Sequence, residues 1–544
     1  MPDAIVIGAG PNGLVAANLL ADAGWEVEVL EAQPLPGGAV RSDNGLDPAF
    51  VHDLFSSFYP LAKASPAIAT LDLERHGLAW SHAPTVLAHP LPDGRCATLH
   101  RGPTATRDQL EDSFGAADAA AWERLTALWS DLDPHLLRSL FTPFPPLKPA
   151  AAMAARLRTT ELLPTARFMT LPVRRLAQEE FTEPGAGLLL AGCALHTDLA
   201  PEAAGSGAFG WLMAMLGQHV GWPVPVGGSS NLTHALVRRL ESIGGRVHCN
   251  QRVEEVIVRG GRALGVRTAD GQCYRAVRAV LADVAATTLY GQLVDWEHLP
   301  PELRRDLRRF QWDFSTFKVD WALSGPIPWT APSAARAGTV HLGADMDELS
   351  DYAHQVATGR LPRHPFALLG QMTTADSSRS PDGTESAWVY THVPQRIAGD
   401  LGDDAITGRW NSRESEAMAD RLEQQVERFA PGFRQLITTR RILAPPTLQD
   451  LDENLVGGAL NGGTSAIHQQ LVFRPSPGTG RPETPIERLY LASASAHPGG
   501  GVHGACGANA ARAALRSHRV MAGRILSPGL SAAQRLLSGH PPRT

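Results

Sequence analysis

The sequence predicts an α/β protein of two units. One is a doubly wound nucleotide-binding unit assembled from separated stretches of chain. The other is a mixed α+β unit with an antiparallel sheet and a helical cap. Three observations predict this. A strand, glycine turn, helix and second strand open the chain, with Gly8, Gly10 and Gly13 in GxGxxG spacing. A second glycine-rich turn, Gly499-Gly500-Gly501, follows a short apolar run near the other end. Between them lie a proline-broken helical stretch over 100–220 and alternating, strand-like runs over 310–395. At 544 residues the chain exceeds one domain, for which ~150 residues is usual.

Apolar residues at 43% and charged residues at 19% supply a sizeable core and exclude a disordered chain. The formal net charge of −6 leaves no global basic footprint for nucleic acid. The 5 cysteines are scattered without CxxC spacing, so neither a metal site nor a disulfide framework is expected. A reducing, cytoplasmic setting fits that usage. The chain opens directly on a strand-like run, which reads as the absence of a signal peptide. No window reaches the ~18 uninterrupted apolar residues that a membrane span needs.

Taken in order, residues 4–7 are a continuous apolar run suited to a central strand buried on both faces. The turn Gly8-Ala-Gly-Pro11-Asn12-Gly13 follows, then helical composition over 14–23 with Gly24 as the stop. A strand over 26–30 ends at Glu31, with Ala32 behind it. Each glycine has its own task in a Rossmann-type unit. The first permits the tight turn, the second lets backbone N–H groups approach a pyrophosphate, and the third lets helix pack on strand. The helix N-terminus adds partial positive charge. Glu31 is placed to accept ribose hydroxyls and would repel a 2′-phosphate.

Gly37-Gly38-Ala39 with Arg41, just beyond, resembles the second glycine doublet of FAD proteins whose first domain is split along the chain. The stretch 489–510 supplies a strand, glycines that let the backbone pass close to a flat ligand, and a helix start. That helix dipole would stabilise negative charge at the N1–C2=O edge of a reduced flavin. Only a fold that returns to its first unit needs both ends of the chain, and the resemblance at 37–41 makes FAD the expected dinucleotide. The expected FAD-binding segments are 1–75, 225–290 and 480–530. The substrate unit would take 76–224 as helical cap and 291–479 as antiparallel sheet, with 531–544 as a tail. Within 225–290, short strands over 246–248, 253–258, 263–268 and 279–281 read as a β-meander. A helix is expected near 412–430, a strand over 488–492 and a small-residue helix over 508–516.

On these residues the chain resembles the phytoene desaturase-like branch of FAD-dependent oxidoreductases. That branch includes carotenoid desaturases, carotene isomerases, retinol saturases and pyridine nucleotide-disulphide oxidoreductase-domain proteins. The matching stretches are 4–41, Pro225-Val-Gly-Gly-Ser229, Phe317-Lys-Val-Asp-Trp-Ala-Leu323 and His497-Pro-Gly-Gly-Gly-Val502. The resemblance implies that the backbone of Val253 meets the adenine and that Gly500, Gly501 and Val502 lie against the isoalloxazine. Many flavoproteins carry a Gly-Asp pair after the last strand, where this chain has Ala492-Ser-Ala-Ser495.

No second GxGxxG unit with a trailing acid is evident. The flavin is therefore expected to take hydride at N5 from an apolar or amphipathic small molecule, in a dehydrogenation or desaturation. Electrons would pass on to oxygen, a quinone or a carrier. Alternatives are a flavin amine oxidase, a redox-neutral isomerase using reduced flavin, and a flavin-binding interaction protein without turnover. Lys318 is the one hint of an amine oxidase. It shares a strand face with Asp320, so a water-holding role near N5 competes with a structural ion pair. His497 and His503 flank the glycine run. They could touch flavin or substrate and exchange protons near neutral pH, or bond backbone in a crowded turn. His52 and Tyr59 are candidates for the pocket wall. Cys506 reads as a small buried cysteine before it reads as a covalent anchor. Residues 134–175 hold seven basic residues and one acid among leucines, phenylalanines and methionines. This stretch reads either as a lid with solvated arginines or as a peripheral membrane contact.

Overall fold

The computed structural model describes residues 1–133 and 135–521. The expected tail at 531–544 and the last residues of the 480–530 segment lie outside them.

Two sheets organise the molecule. The first has five parallel strands in the order Leu489–Leu491, Ala279–Ala282, Ala4–Ile7, Val27–Leu30 and Arg246–His248. The apolar run Ala4–Ile7 takes the centre and is buried throughout. Helices Pro11–Asp22, Ser230–Ser242 and Ala505–Met521 cover one face, where Val6, Leu14, Leu20, Leu232 and Ala511 share a core. Pro11 suits the first helical turn, where an N–H would have no intrahelical partner. On the other face Ile5, Ile7 and Val280 pack against Val256 and Val266.

Those last two residues belong to a three-stranded antiparallel sheet, Val253–Arg259, Arg262–Thr268 and Cys273–Arg275. The single meander expected over 246–281 is therefore corrected. Its outer strands, Arg246–His248 and Ala279–Ala282, join the parallel sheet, and Cys273–Arg275 completes the meander. The reason is burial. Ala279-Val-Leu-Ala282 is apolar at every position and stays dry only in a sheet covered on both sides.

The second sheet has seven strands in the order Ile437–Leu443, Ser315–Leu323, Glu385–Val393, Ala367–Gln371, Ala337–Leu342, Thr85–Pro90 and Cys96–Leu99. Its pairs are antiparallel except Ala337–Leu342 with Thr85–Pro90. Helix Ser412–Glu427 packs on one face through Met418, Leu422 and Val426. Helices Pro184–Ala194 and Ser206–His219 cover the other as part of a cap of helices between Pro103 and His219. The period-two pattern of Ser315–Leu323 does not separate a wet face from a dry one, since all 9 residues are buried between these layers.

Candidate active site

The N-terminal loop is built so tightly that only glycine fits. Gly8 has φ +93, and a Cβ there would lie 2.8 Å from the Asp283 carbonyl oxygen. A Cβ on Gly10 would sit 2.7 Å from the Asp283 carboxylate, and one on Gly13 would sit 2.2 Å from the Gly8 carbonyl oxygen. The 37–38 doublet closes on this loop. Gly37 N–H donates to the Ala9 carbonyl at 2.9 Å, and Gly38, at φ +52, comes against the Gly10 Cα. Arg41 Nε donates to the Gly38 carbonyl at 2.9 Å, and its guanidinium lies 5.2 Å from the Phe55 ring. Ala39 accepts the Ser56 hydroxyl at 2.7 Å.

Glu31 ends its strand with a carboxylate that accepts N–H bonds from Ala9 at 2.7 Å and Gln33 at 2.8 Å. Its carbonyl accepts from Gln251 at 2.7 Å, which sets the start of the strand bearing Val253 beside it. Ala32 continues from Glu31. Asn12 is buried with its Oδ1 unpartnered, at the edge of the same loop. Near the other end of the chain, Gly501 has φ +102 and a Cβ on Gly500 would meet Asn461 at 2.7 Å. Val502 packs against the core of the parallel sheet.

Sequence reasoning missed two acids here. Asp283 directly follows the strand Ala279–Ala282, and its carboxylate accepts the Gly13 N–H at 2.8 Å. Burial, with the charges of Asp452 and Glu31 added, pushes its carboxyl up to about 8. Asp452 reaches the Gly38 position and is pushed up to about 6, again chiefly by burial. The available signal was an acid at the carboxyl end of an apolar run. In open parallel sheets that is where ligands bind.

A single cavity of about 530 Å³ joins this loop to the substrate side. It runs from Gly10, Pro11, Asn12 and Gly38 past Gly500, Gly501 and Val502 to Phe209, Met213, Trp222 and Trp388. Trp388 lies across the neighbouring strand, where a Cβ on Gly370 would fall 2.2 Å from its ring.

The remaining candidates divide. Tyr59 lines the cavity, and its hydroxyl donates to the Ser56 carbonyl at 2.8 Å. His52 is buried outside that lining, with Nδ1 3.2 Å from the Ser386 hydroxyl. Lys318 lines the cavity, donates to the Asp53 carbonyl at 2.9 Å and is ion-paired with Asp320. Arg441 holds the second Asp320 oxygen at 2.8 Å. Burial lowers the Lys318 ammonium. It would raise Asp320, but Lys318 and Arg441 hold that carboxylate below its usual range.

His503 lines the cavity with both ring nitrogens engaged. Nδ1 accepts the Ala505 N–H at 3.0 Å, and Nε2 faces the Gly499 carbonyl at 3.2 Å. His497 Nε2 lies 3.0 Å from the Thr142 carbonyl. Burial pushes both rings down to about 4. Of the two readings of these rings, the geometry favours backbone bonding, since each has a ring nitrogen on a backbone carbonyl and burial disfavours its protonated form. Burial also pushes the Cys506 thiol up to about 12, leaving no thiolate at neutral pH.

These features fit FAD. The glycine cradle that no Cβ could enter would hold the pyrophosphate, the unpartnered Asn12 Oδ1 could accept a hydrogen bond, and Glu31, at the end of its strand, would hold the ribose. The 500–502 turn opens onto the same cavity. Fold and site together define an FAD-dependent oxidoreductase. The chain belongs to the flavin containing amine oxidoreductase family, whose profile matches residues 12–315, more than half its length. It is 29% identical to the pyridine nucleotide-disulfide oxidoreductase domain-containing protein 2 of Mus musculus, over 95% of this chain and 94% of that one. It is 28% identical to the lycopene-forming phytoene desaturase of Pseudescherichia vulneris, over 54% of this chain and 55% of that one. Among solved structures, putrescine oxidase bound to putrescine superposes with a TM-score of 0.58 at 16% identity, covering 96% of this chain and 99% of that chain. At that identity the likeness concerns the fold.

Proposed function

We propose that this oxidoreductase dehydrogenates or desaturates an apolar or amphipathic small molecule. The observation that carries the reading is the continuity of the cavity. Its substrate side is walled by Leu61, Phe209, Leu212, Met213, Trp222 and Trp388, while its two carboxylates, Asp283 and Asp452, stand at the dinucleotide loop. Bound FAD supplies a hydride acceptor at N5. The protein's part is to hold an apolar substrate dry against that acceptor and to orient it with rigid aromatic walls. The names of desaturases among the relatives support the same class. Reduced flavin would be reoxidised by oxygen, a quinone or a carrier.

The mouth of the cavity supports peripheral membrane contact. Leu140, Ile467 and Leu471 line the cavity, and Leu147, Leu163, Ile467 and Phe473 are exposed large apolar side chains on the same two stretches of chain. Helices Leu147–Arg156 and Thr159–Phe168 bury none of their residues. The basic excess of 134–175 is smaller in space than in sequence, because Glu179 pairs with Arg167 and Arg175, and Glu202 with Arg174. No helix among the described residues is long and apolar enough to cross a membrane. Amine oxidation is the second reading, favoured by the presence of Lys318 in the cavity wall. Mixing the holoenzyme with apolar alkenes, alcohols or amines without oxygen tests both. Bleaching of the flavin bands by alkenes or alcohols supports the first reading, bleaching by amines alone supports the second, and bleaching by none of them overturns turnover on these classes.

A further inference from the structure

The substrate side of the cavity contains a pair of histidines that neither the flavin site nor Lys318 explains. His196 follows helix Pro184–Ala194 and lines the cavity, half-buried, so that its open surface faces the enclosed space. Its Nε2 lies 2.8 Å from Nε2 of His341, a fully buried ring on the strand Ala337–Leu342. Burial keeps both rings neutral, with His196 pushed down to about 3 and His341 also well below the usual imidazole range. Two neutral rings that share such a contact must divide it into one donor and one acceptor.

The surroundings of His341 decide the direction. Its Nδ1 has no hydrogen-bond partner and lies against helix Pro184–Ala194, where a Cβ on Gly192 would fall 2.0 Å away. An N–H aimed at the Cα of a glycine has no acceptor, whereas a lone pair there meets only C–H. The proton of His341 therefore sits on Nε2 and is donated to His196. His196 in turn carries its proton on Nδ1, the nitrogen left for the cavity. A second, independent atom points to the same place. Thr339 precedes His341 by two positions, about 7 Å along the same strand face. It lines the cavity, is 1% exposed, and its hydroxyl has no partner.

We propose that His196 and Thr339 form a polar seat for one neutral oxygen, a carbonyl or hydroxyl, on an otherwise apolar substrate. This rests on reading the cavity as the substrate site. A carbonyl accepts from His196 Nδ1 and from the Thr339 hydroxyl. A hydroxyl accepts from the first and donates to the second. A pure hydrocarbon leaves both atoms unpaired, and an ammonium group sets its N–H donors against the donor of His196. His341 is a positioning residue that fixes the tautomer of His196 without reaching the cavity.

The test is a binding titration of the FAD-loaded protein with n-decane, 2-decanone and decylamine, followed by perturbation of the flavin spectrum and compared at equal chemical activity. The ketone is expected to bind about tenfold more tightly than the alkane. His196→Phe is expected to abolish that preference while alkane binding persists, and Thr339→Val to reduce it by a smaller factor. His341→Leu is expected to weaken the preference without touching the ligand. Equal binding of ketone and alkane, no binding by any probe, tighter binding of the amine, or a preference that survives in both His196→Phe and Thr339→Val would overturn the seat. If His196→Phe fails to fold or to hold flavin, the wild-type ratio and Thr339→Val still decide. Anaerobic bleaching is read separately with the substrates of the preceding section. Ketone preference without any bleaching removes the dehydrogenation reading and leaves the seat, and bleaching without preference does the reverse.

Discussion

Two groups of buried carboxylates in this protein differ in what answers their charge. In the seven-stranded sheet, Asp320 lies between Lys318 and Arg441, and on the short strand His52–Asp53 the carboxylate of Asp53 faces Arg379 at 3.1 Å. At the dinucleotide loop, Asp283 and Asp452 have no salt bridge among the described residues and accept backbone N–H groups of Gly13 and Asn454. Beside its two cations Asp320 is held below the usual carboxylate range, whereas burial raises Asp283 to about 8 and raises Asp452, which the Arg41 charge partly offsets, only to about 6. The difference separates a framework from a receptor. The paired acids tie strands together, while a neutral carboxyl at Asp283 can stand beside a pyrophosphate that would repel a carboxylate.

The contrast breaks most sharply at Asp320. Asp320→Ala leaves Lys318 and Arg441 facing each other in the interior, and a loss of about 3–5 kcal/mol is expected, read as a large drop in melting temperature. A drop no larger than that of a surface control would mean that the pair is not structural.

The next effect belongs to Glu31, whose carboxylate is held by two backbone donors. Glu31→Ala should weaken FAD retention by roughly 10- to 100-fold, the range for lost hydrogen bonds to a charged group. Unchanged flavin content after dialysis would remove Glu31 from the site.

Asp283 should respond with the opposite sign. Its carboxyl titrates near 8 in the folded chain against an ordinary value of 3.8. The folded state therefore binds this proton more tightly than the unfolded one, and the associated stability is present below about pH 4 and lost as pH rises through 8. Asp283→Asn escapes that loss. Flavin-stripped Asp283→Asn should melt a few degrees above its parent at pH 8 and lose most of that advantage at pH 5. An advantage independent of pH would show that Asp283 is charged throughout.

The smallest expected effect concerns Lys318. Lys318→Met leaves Asp320 with Arg441, so the melting temperature should fall less than in Asp320→Ala. Anaerobic single-turnover rates then separate frame from chemistry, because an unchanged flavin-reduction rate confines Lys318 to the framework.

The glycine turn, helix and following strand at 4–31 were legible in the sequence because their partners are chain neighbours. Glu31 was legible by spacing, since a helix of ordinary length fixes where the next strand ends. Asp283 was not, because its partner Gly13 is 270 positions away and only the sheet order brings them together. The same holds for His196 and His341, which carry no motif and meet across 145 residues. The alternation of 315–323 announced a strand but not its depth, because period two describes side-chain direction and not what covers each side.

The strand order of the parallel sheet also governs how this chain emerges from a ribosome. Ala279–Ala282 can pair with Ala4–Ile7 early, yet its other edge waits for Leu489–Leu491, more than 200 residues later. Through that interval of synthesis an apolar, fully hydrogen-bond-competent edge stands open, which is the kind of surface that recruits chaperones or aggregates. Completion of the cavity is then also a late event in the life of the chain, since the 500–502 turn that lines it is made only after Leu489–Leu491.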